Sequence, residues 1–272
     1  MNYKTKNNDI ILQQADFNLD ETLDCGQAFR WEKISSDPVT YKGEFLNKPL
    51  VISCENGSDL FRLHNTTETD LLNIWADYFD LYTDYSILKK RFSQDETMEK
   101  ACNYAGGIRI LKQDKWEALS SFIISQNNNI PRIKGIINRL CQHYGGYPLP
   151  QDMKNETVES LEFLRSGFRA KYLVDAVAKI LSGEINMEKI SQMPIDDARK
   201  KLMTIKGVGP KVAECTLLFG FYRTEAFPKD VWIKRVMEKW YPNGLPECVK
   251  GYEGIAQQYL FHYIRNTQEN PE

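Results

Sequence analysis

The spacing of apolar residues changes once along this 272-residue chain. Before Glu68, apolar and aromatic residues come in short runs separated by turn-forming clusters such as Ser35-Ser36-Asp37-Pro38, a pattern typical of strands joined by tight turns. From Glu68 onward they recur at helical spacing, beginning with Leu71, Leu72 and Trp75. A small antiparallel sheet followed by many helices predicts an α+β fold.

The same pattern predicts the individual elements. Strands are expected at residues 26–31, 41–45, 49–54 and 60–64. Helices are expected at about 84–104, 114–126, 130–144, 156–164, 170–182, 195–203, 210–220, 230–240 and 252–266. We therefore expect an N-terminal sheet domain with flanking helices over residues 1–104 and a mainly helical domain over residues 105–272.

Composition excludes several classes of protein. No apolar run approaches the roughly 18 residues that a membrane-spanning helix needs, and residues 1–9 lack the apolar core of a secretory signal. The six cysteines are widely scattered, so we expect free thiols in a reducing cytosol. With only three histidines, a histidine metal site is not expected either. The sequence predicts an intracellular protein without a membrane segment.

Charge is unevenly distributed, although the net charge is only −2. Residues 1–100 carry a balance of −7, whereas residues 199–240 contain 10 Lys and Arg against 4 Asp and Glu. A local basic surface is what contact with nucleic-acid phosphates requires. A solvated helix face would give the same count of charged residues, so charge alone does not distinguish it from a surface that binds nucleic acid.

The most specific local motif is Gly207-Val208-Gly209-Pro210-Lys211. A helix is expected to end near Met203, the two glycines permit a tight turn, and Pro210 suits the first position of the next helix. Free N–H groups at such a turn form a site for an anion. An ordinary glycine-capped joint between helices would use similar residues, but the full pattern favours a clamp on DNA phosphate, in a hairpin over about 195–220.

Asp230 follows Lys211 by 19 residues, with one helix and one loop between them. On its own, Asp230 is best interpreted as the N-cap of the helix that follows. A lysine and an aspartate that start neighbouring helices can also share a pocket. In a cleft that faces DNA, such a pair points to nucleophilic chemistry of an amine through a Schiff base.

With Lys211 and Asp230, the hairpin resembles those of the helix-hairpin-helix base-excision DNA glycosylases. Four further blocks resemble the 8-oxoguanine DNA glycosylases within that superfamily: residues 25–31, 121–132, 167–172 and 254–261. The blocks follow the family's order from about residue 9 to about residue 265. This resemblance implies an N-terminal antiparallel sheet domain followed by a helix-hairpin-helix glycosylase domain.

The resemblance also implies a reaction. The enzyme would excise 8-oxoguanine from duplex DNA and cleave the strand by β-elimination. Lys211 would attack C1′ of the damaged nucleoside, and Asp230 would stabilise the positive charge that develops on the sugar. The resemblance implies no organic cofactor or catalytic metal, and it allows a monovalent cation at the hairpin carbonyls. The expected partner is double-stranded DNA containing 8-oxoguanine, bound by a monomer in the cytoplasm or nucleoid.

Further residues acquire roles from the same resemblance. The base pocket would be formed by Gly26, Cys215, Pro228, Gln257 and Phe261. There the Gly26 carbonyl would accept the N7 hydrogen of 8-oxoguanine, and Gln257 would read its Watson–Crick edge. Cys215 and Phe261 would cover the two faces of the ring.

The DNA around the pocket would contact Asn127, Arg132, Phe168, Arg169, Gly207 and Gly209. Asn127, Arg132 and Arg169 would contact the cytosine left behind, and Phe168 would wedge into the vacated stack.

Single residues also have simpler interpretations. Phe261 and Phe168 could be packed in the core, and Cys215 could be a small buried apolar residue. One of the residues Asn127-Asn128-Asn129 is expected to cap a helix.

Two positions depart from the family pattern: Lys229 replaces a small or apolar residue of animal members, and Trp232 replaces a phosphate-contacting histidine. The four-cysteine iron–sulfur signature of the endonuclease III and adenine-glycosylase branches is absent after Trp240.

Two other functions stay open. A related glycosylase for another purine lesion would be distinguished by whether Gly26 and Gln257 face one pocket. In a non-catalytic hairpin DNA-binding protein, Lys211 and Asp230 would be replaceable without effect. A purely structural interaction protein has no supporting feature.

Overall fold

A computed structural model describes residues 1–267, which form two compact units. Unit 1 consists of Met1–Lys112 and of the chain from Lys229 to the end of the described residues, and unit 2 consists of Gln113–Pro228. The domain boundary predicted after residue 104 stays a prediction. The last five residues of the domain predicted over 105–272 lie outside the described residues.

Unit 1 contains an antiparallel sheet, as the sequence predicts, and the sheet has six strands, of which the first three were not predicted. Its strands are β1 (Asn2–Lys6), β2 (Asp9–Gln13), β3 (Glu32–Ser36), β4 (Val39–Phe45), β5 (Lys48–Cys54) and β6 (Leu60–His64), in the order β1-β2-β6-β5-β4-β3. Ile52 pairs with Tyr41 on one side and with Leu63 on the other. Each of these three side chains is at most 1% exposed, so they mark the face of the sheet that covers the core.

The strand predicted at residues 26–31 is wrong, because no strand forms there. Gly26 has a φ of +88°, in the left-handed region, which interrupts extended backbone. The buried side chain of Gln27 donates to the main-chain oxygen of Arg109 (2.8 Å) and accepts from the N–H of Leu111 (2.9 Å). A side chain therefore makes the main-chain hydrogen bonds that a neighbouring strand would otherwise make.

Thirteen α-helices follow one another in the described chain. They are α1 (Leu19–Leu23), α2 (Glu68–Asp70), α3 (Ala76–Tyr78), α4 (Tyr85–Phe92), α5 (Glu96–Tyr104), α6 (Lys115–Ser125), α7 (Ile130–Tyr144), α8 (Ala170–Leu181), α9 (Met187–Gln192), α10 (Ile195–Leu202), α11 (Pro210–Gly220), α12 (Val231–Lys239) and α13 (Glu253–Thr267). A π-helical turn at Leu71–Trp75 joins α2 to α3. No helix within residues 1–267 is both long and apolar enough to cross a membrane.

Two helix predictions need correction. The helix predicted over 84–104 is two helices: the first ends at Phe92 with Ser93 as its C-cap, and Asp95 caps the second, its Oδ1 accepting from the N–H of Met98 at 2.9 Å. The helix predicted over 156–164 is only a 3-10 turn at Ser160–Leu164. Helix α9, in contrast, was not predicted from the sequence.

Aromatic side chains dominate the core of unit 1. The Trp31 ring lies 6.3 Å from Trp75 and 5.7 Å from Phe79, and the Trp31 indole donates to the Tyr78 hydroxyl at 2.7 Å. The hydrogen bond satisfies the buried indole N–H, so a large ring can be buried without an unpaired polar atom.

Helices α6 and α11 pack against each other in unit 2, where the rings of Phe122 and Phe219 stack at 5.4 Å. Unit 2 contains the hairpin predicted at 195–220, formed by α10 and α11.

Candidate active site

The hairpin turn follows the predicted geometry. Helix α10 has its C-cap at Met203, and Pro210 occupies the first turn of α11, as predicted. Gly207 has a φ of +78°, and the Val208 N–H donates to the Ile205 carbonyl at 3.0 Å to close the turn.

The turn and the helix start leave four main-chain donors available. In the described chain, no acceptor bonds to the N–H groups of Gly207, Gly209, Lys211 or Val212. Free N–H groups at the start of an 11-residue helix form a site for a phosphate oxygen. The hairpin thus has the donors that the predicted phosphate clamp requires.

Helix α8 holds the hairpin turn in place. The Asp175 carboxylate accepts from the N–H of Lys206 at 2.7 Å, and the Lys179 ammonium donates to the Thr204 carbonyl at 2.7 Å. The Tyr172 ring lies so close to Gly207 that a Cβ added there would be 2.4 Å from it. Sequence reasoning missed Asp175 and Lys179, because neither lies in the hairpin motif.

We expect Gly207→Ala to destabilise the free protein. The new Cβ would meet the Tyr172 ring at 2.4 Å, and an alanine at a φ of +78° is strained. Together these costs should reach about 2 kcal/mol and lower Tm by several degrees. Thermal unfolding without DNA measures the effect, with Gly209→Ala as the matched control because nothing lies within 4 Å of a Cβ at Gly209. Equal Tm values for the two variants would contradict this account of the turn.

Lys211 lies in the first turn of α11 with its side chain exposed. The residues that follow it are buried, Ala213 at 0% and Cys215 at 4% exposure. The Lys211 ammonium forms no ion pair within unit 2 (Gln113–Pro228). An amine without an ionic partner in its own unit, next to an anion site, is available for reaction with a bound ligand.

Glu214, on the buried side of α11, holds the loop that carries Pro228. One of its carboxylate oxygens contacts the Arg199 guanidinium, and the other accepts from the Phe227 N–H at 2.8 Å. Pro228, predicted to line the base pocket, is buried directly after this contact. Sequence reasoning missed Glu214 as well, because its partners Phe227 and Arg199 lie 13 and 15 residues away in the sequence.

Asp230, in unit 1, caps α12 as predicted: its Oδ1 accepts from the Ile233 N–H at 2.8 Å. Around it, Lys229 is exposed, and the guanidinium of Arg235 lies over the Trp232 ring at 5.1 Å. Trp232 therefore supports an exposed cation one turn into the helix.

A chain of polar contacts in unit 1 connects the predicted base readers. The Gln258 amide donates to the Gln257 side-chain oxygen at 2.6 Å, and the Cys25 thiol donates to the Gln258 oxygen at 3.8 Å. Burial raises the pKa of Cys25 to about 11, so its thiol stays protonated. Gly26 follows Cys25 directly, so the structure brings the Gly26 segment and Gln257 together through two intermediate side chains. Phe261, one turn after Gln257 on α13, is partly exposed.

The residues predicted to contact the orphaned cytosine converge in unit 2. Arg169 donates to the main-chain oxygen of Asn127 at 2.9 Å, and the positive charge of Arg132 adds to burial in lowering the pKa of Arg169. Asn129 is the residue of the asparagine run that caps α7, with its Oδ1 accepting from the Arg132 N–H at 3.0 Å. Phe168 is 44% exposed next to them.

Within the described residues, no group of three or more His, Cys, Asp or Glu side chains is arranged to hold a metal ion.

Sequence families and solved structures provide independent comparisons. Residues 9–119 match the family described as 8-oxoguanine DNA glycosylase, N-terminal domain, and residues 120–247 match the HhH-GPD superfamily of base excision DNA repair proteins. A probable N-glycosylase/DNA lyase of Methanothermobacter thermautotrophicus is 32% identical over 72% of this chain and 73% of its own length.

Two solved structures are similar over nearly the whole chain. MBOgg1 in complex with a low-affinity DNA ligand is 40% identical with a TM-score of 0.90, covering 98% of this chain and 99% of that one. The Clostridium acetobutylicum 8-oxoguanine glycosylase/lyase, in complex with double-stranded DNA containing cytosine opposite 8-oxoguanine, is 34% identical with a TM-score of 0.89 and the same coverage. The α+β fold, the hairpin and these matches together show that the chain belongs to the 8-oxoguanine DNA glycosylase family of the helix-hairpin-helix base-excision repair superfamily.

Proposed function

We propose that this protein is a bifunctional DNA glycosylase that excises 8-oxoguanine from duplex DNA and then cleaves the strand as an AP lyase. The observation that carries the proposal is the exposed Lys211 ammonium in the first turn of α11, directly after free N–H groups suited to phosphate. A phosphate bound there would hold the neighbouring deoxyribose close to the amine.

The reaction follows from this placement. The base must first leave the stack, because C1′ is inaccessible inside a duplex. The deprotonated Lys211 amine attacks C1′, the bond from C1′ to N9 breaks, and its electron pair leaves with the base. Opening of the sugar gives a Schiff base between C1′ and Nζ. Loss of a C2′ proton then expels the 3′ phosphate by β-elimination.

Recognition of the base would use the five residues that the family resemblance assigns to its pocket. In unit 1, the Gln257 oxygen is already engaged by Gln258, which leaves the Gln257 amide hydrogens to donate to the Watson–Crick edge. The Gly26 carbonyl would accept the N7 hydrogen that distinguishes 8-oxoguanine from guanine. Cys215 and Phe261 would cover the two faces of the ring, and Pro228 would line its edge.

The hairpin also has carbonyl oxygens for a monovalent cation. In the described chain, no hydrogen bond ends on the carbonyl oxygens of Met203 or Val208, so both suit a cation that prefers oxygen ligands. Such a cation would add positive charge beside the bound phosphate. Catalysis itself requires no organic cofactor in this proposal. The enzyme would act as a monomer. Because its substrate is duplex DNA, it would work inside the cell, at the nucleoid.

Borohydride trapping tests the proposed function. The protein is incubated with a duplex that contains one 8-oxoguanine opposite cytosine, and borohydride reduces any Schiff base to a stable crosslink. A covalent complex that requires the lesion supports the proposal, and its absence under conditions of full binding would overturn it. Duplexes with other purine lesions define the lesion range.

Opposite-base selection provides a second prediction, made for Arg132. Arginine donors suit the O2 and N3 acceptors of cytosine and fit adenine poorly. The exposed Arg132 should thus favour cytosine by roughly tenfold to hundredfold in single-turnover excision rate. Arg132→Ala should lower the ratio of the rates opposite cytosine and adenine more than it slows excision opposite cytosine.

Arg132→Lys is the matched control, since it keeps the charge but loses the planar pair of donors. If Arg132 contacts only a phosphate, Arg132→Lys should behave like the wild type. Arg132→Ala would then weaken binding to all duplexes evenly and reduce the salt dependence. An unchanged ratio in Arg132→Ala would overturn the assignment.

A further inference from the structure

Gly26 is partly exposed, whereas the other residues of segment 25–29 are buried. Its φ of +88° lies in the left-handed region, where a glycine has no side chain to restrain it. Within residues 1–267, no hydrogen bond ends on the Gly26 carbonyl oxygen. This carbonyl is therefore available to a ligand, but nothing in the glycine itself fixes the direction in which it points.

The side chain of Gln27, the next residue, is 1% exposed and bonds to three main-chain groups of unit 1. Its amide nitrogen donates to the carbonyls of Thr22 at 2.9 Å and Arg109 at 2.8 Å. Its oxygen accepts from the Leu111 N–H at 2.9 Å. Three buried hydrogen bonds in different directions hold the side chain in one conformation.

The residues on both sides of Gly26 are anchored to the same carbonyl. The Cys25 thiol donates to the Thr22 carbonyl at 3.4 Å, and the Gln27 amide donates to it as well. Because a peptide group is planar, the Gly26 carbonyl lies in one plane with the nitrogen and the α-carbon of Gln27. Holding Gln27 in place therefore restrains the direction of the Gly26 oxygen.

We propose that Gln27 is a positioning residue for recognition of the lesion: it fixes the peptide group that joins it to Gly26, so that the Gly26 carbonyl meets the N7 hydrogen of 8-oxoguanine. This inference rests on the proposed function, in which that carbonyl distinguishes 8-oxoguanine from guanine. Gln27 acts through Gly26 and does not contact the base.

Gln27→Met tests the inference, because methionine is similar in length but cannot make the three hydrogen bonds. In a Lys211→Gln background, which cannot react, dissociation constants are measured for a duplex with one 8-oxoguanine opposite cytosine and for the same duplex with guanine. Gln27→Met should weaken binding of the damaged duplex by at least roughly tenfold and leave binding of the undamaged duplex nearly unchanged. Equal weakening of both, or weakening of neither, would overturn the inference.

Tyr85→Phe is the matched control. The buried Tyr85 hydroxyl accepts from the N–H of Ile110 at 2.9 Å, between the two main-chain groups that Gln27 holds at positions 109 and 111. Its loss disturbs the same segment while the three acceptors and donors of Gln27 stay in place. Tyr85→Phe should lower Tm yet keep the full difference in affinity between the two duplexes. If it lost as much of that difference as Gln27→Met, stability of the segment would be the cause, and the inference would be wrong.

Gln27→Glu serves if the methionine variant does not fold. It keeps the shape of the side chain and an oxygen that can accept from Leu111, but a protonated carboxyl can donate to only one of the two carbonyls. Affinity for the damaged duplex should therefore fall, though by less than in Gln27→Met. An unchanged preference for the damaged duplex in Gln27→Glu would contradict the inference.

Strand cleavage at an abasic site separates this inference from the proposed function. An abasic site has no base for Gly26 to read, so Gln27→Met with Lys211 intact should cleave it at the wild-type rate while its excision of 8-oxoguanine slows by roughly tenfold. An equal loss of both activities would overturn the inference. If the wild type neither excises nor cleaves, the proposed function fails, and the comparison of the two affinities still decides whether Gln27 governs recognition of the lesion.

Discussion

A Lys211→Gln variant should lose both excision of 8-oxoguanine and borohydride trapping while it still binds the duplex. The amide of glutamine is not a nucleophile, so no Schiff base can form. The single-turnover rate should fall by at least roughly 1000-fold, which corresponds to about 4 kcal/mol in activation free energy. DNA affinity should change little, because the donors of the phosphate site are main-chain N–H groups of the turn and of α11.

The matched control for Lys211→Gln is Lys206→Gln. Lys206 is an exposed lysine of the same turn, and only its main-chain N–H is held, by Asp175. Its side chain can be exchanged without loss of that contact, so Lys206→Gln should retain excision and trapping. If both variants retain full excision, Lys211 is replaceable and its assignment as the nucleophile is wrong. If Lys211→Gln still traps, the nucleophile is elsewhere.

Local signals in the sequence were sufficient for most of unit 2. The cap at Asn129, the proline at position 210 and the glycine at position 207 each act within one or two turns of backbone, so their effects can be predicted from neighbouring residues. The hairpin and the starts of α7 and α11 were predicted correctly for this reason. Asp230 as the N-cap of α12 belongs to the same class.

Several of the incorrect or missing predictions depend on partners far away in the sequence. Residues 26–31 have a strand-like composition, but the Gln27 side chain bonds to main-chain atoms more than 80 positions away. Glu214 and Asp175 likewise anchor loops through hydrogen bonds to residues that lie 13 and 31 positions away in the sequence. No periodicity or spacing encodes such contacts, so side chains that position a site are found only once the fold is known.

Arg169 illustrates the same limit within the candidate site. The resemblance to the family assigns its guanidinium to the orphaned cytosine, an assignment that rests on the type of residue. Its burial and its three main-chain acceptors depend on how the turns at 126–127 and 166–169 meet, which the sequence does not reveal.

Asp230→Asn should slow excision by at least roughly tenfold and leave the stability of the protein nearly unchanged. Asparagine caps a helix about as well as aspartate, so the hydrogen bond from the Ile233 N–H should persist. The variant loses only the negative charge, which would stabilise the positive charge that develops on the sugar as the C1′ to N9 bond breaks. A tenfold loss is the scale of a single 1.4 kcal/mol interaction in the transition state, so it is the minimum expected for a charge in contact with the reacting sugar.

The cap and the charge are separated by a comparison with Asp230→Ala, which removes both. Loss of the cap should cost about 1 kcal/mol of stability in the alanine variant alone, whereas excision should fall in both variants if the charge is what matters. A residue that only caps would give the opposite pattern, with normal turnover in Asp230→Asn and a lower Tm in Asp230→Ala. Single-turnover rates and thermal unfolding of the two variants decide between these roles. Because Lys211→Gln should abolish trapping and Asp230→Asn should only slow it, a trapped complex that still accumulates in Asp230→Asn would show that Asp230 assists the reaction without being the nucleophile.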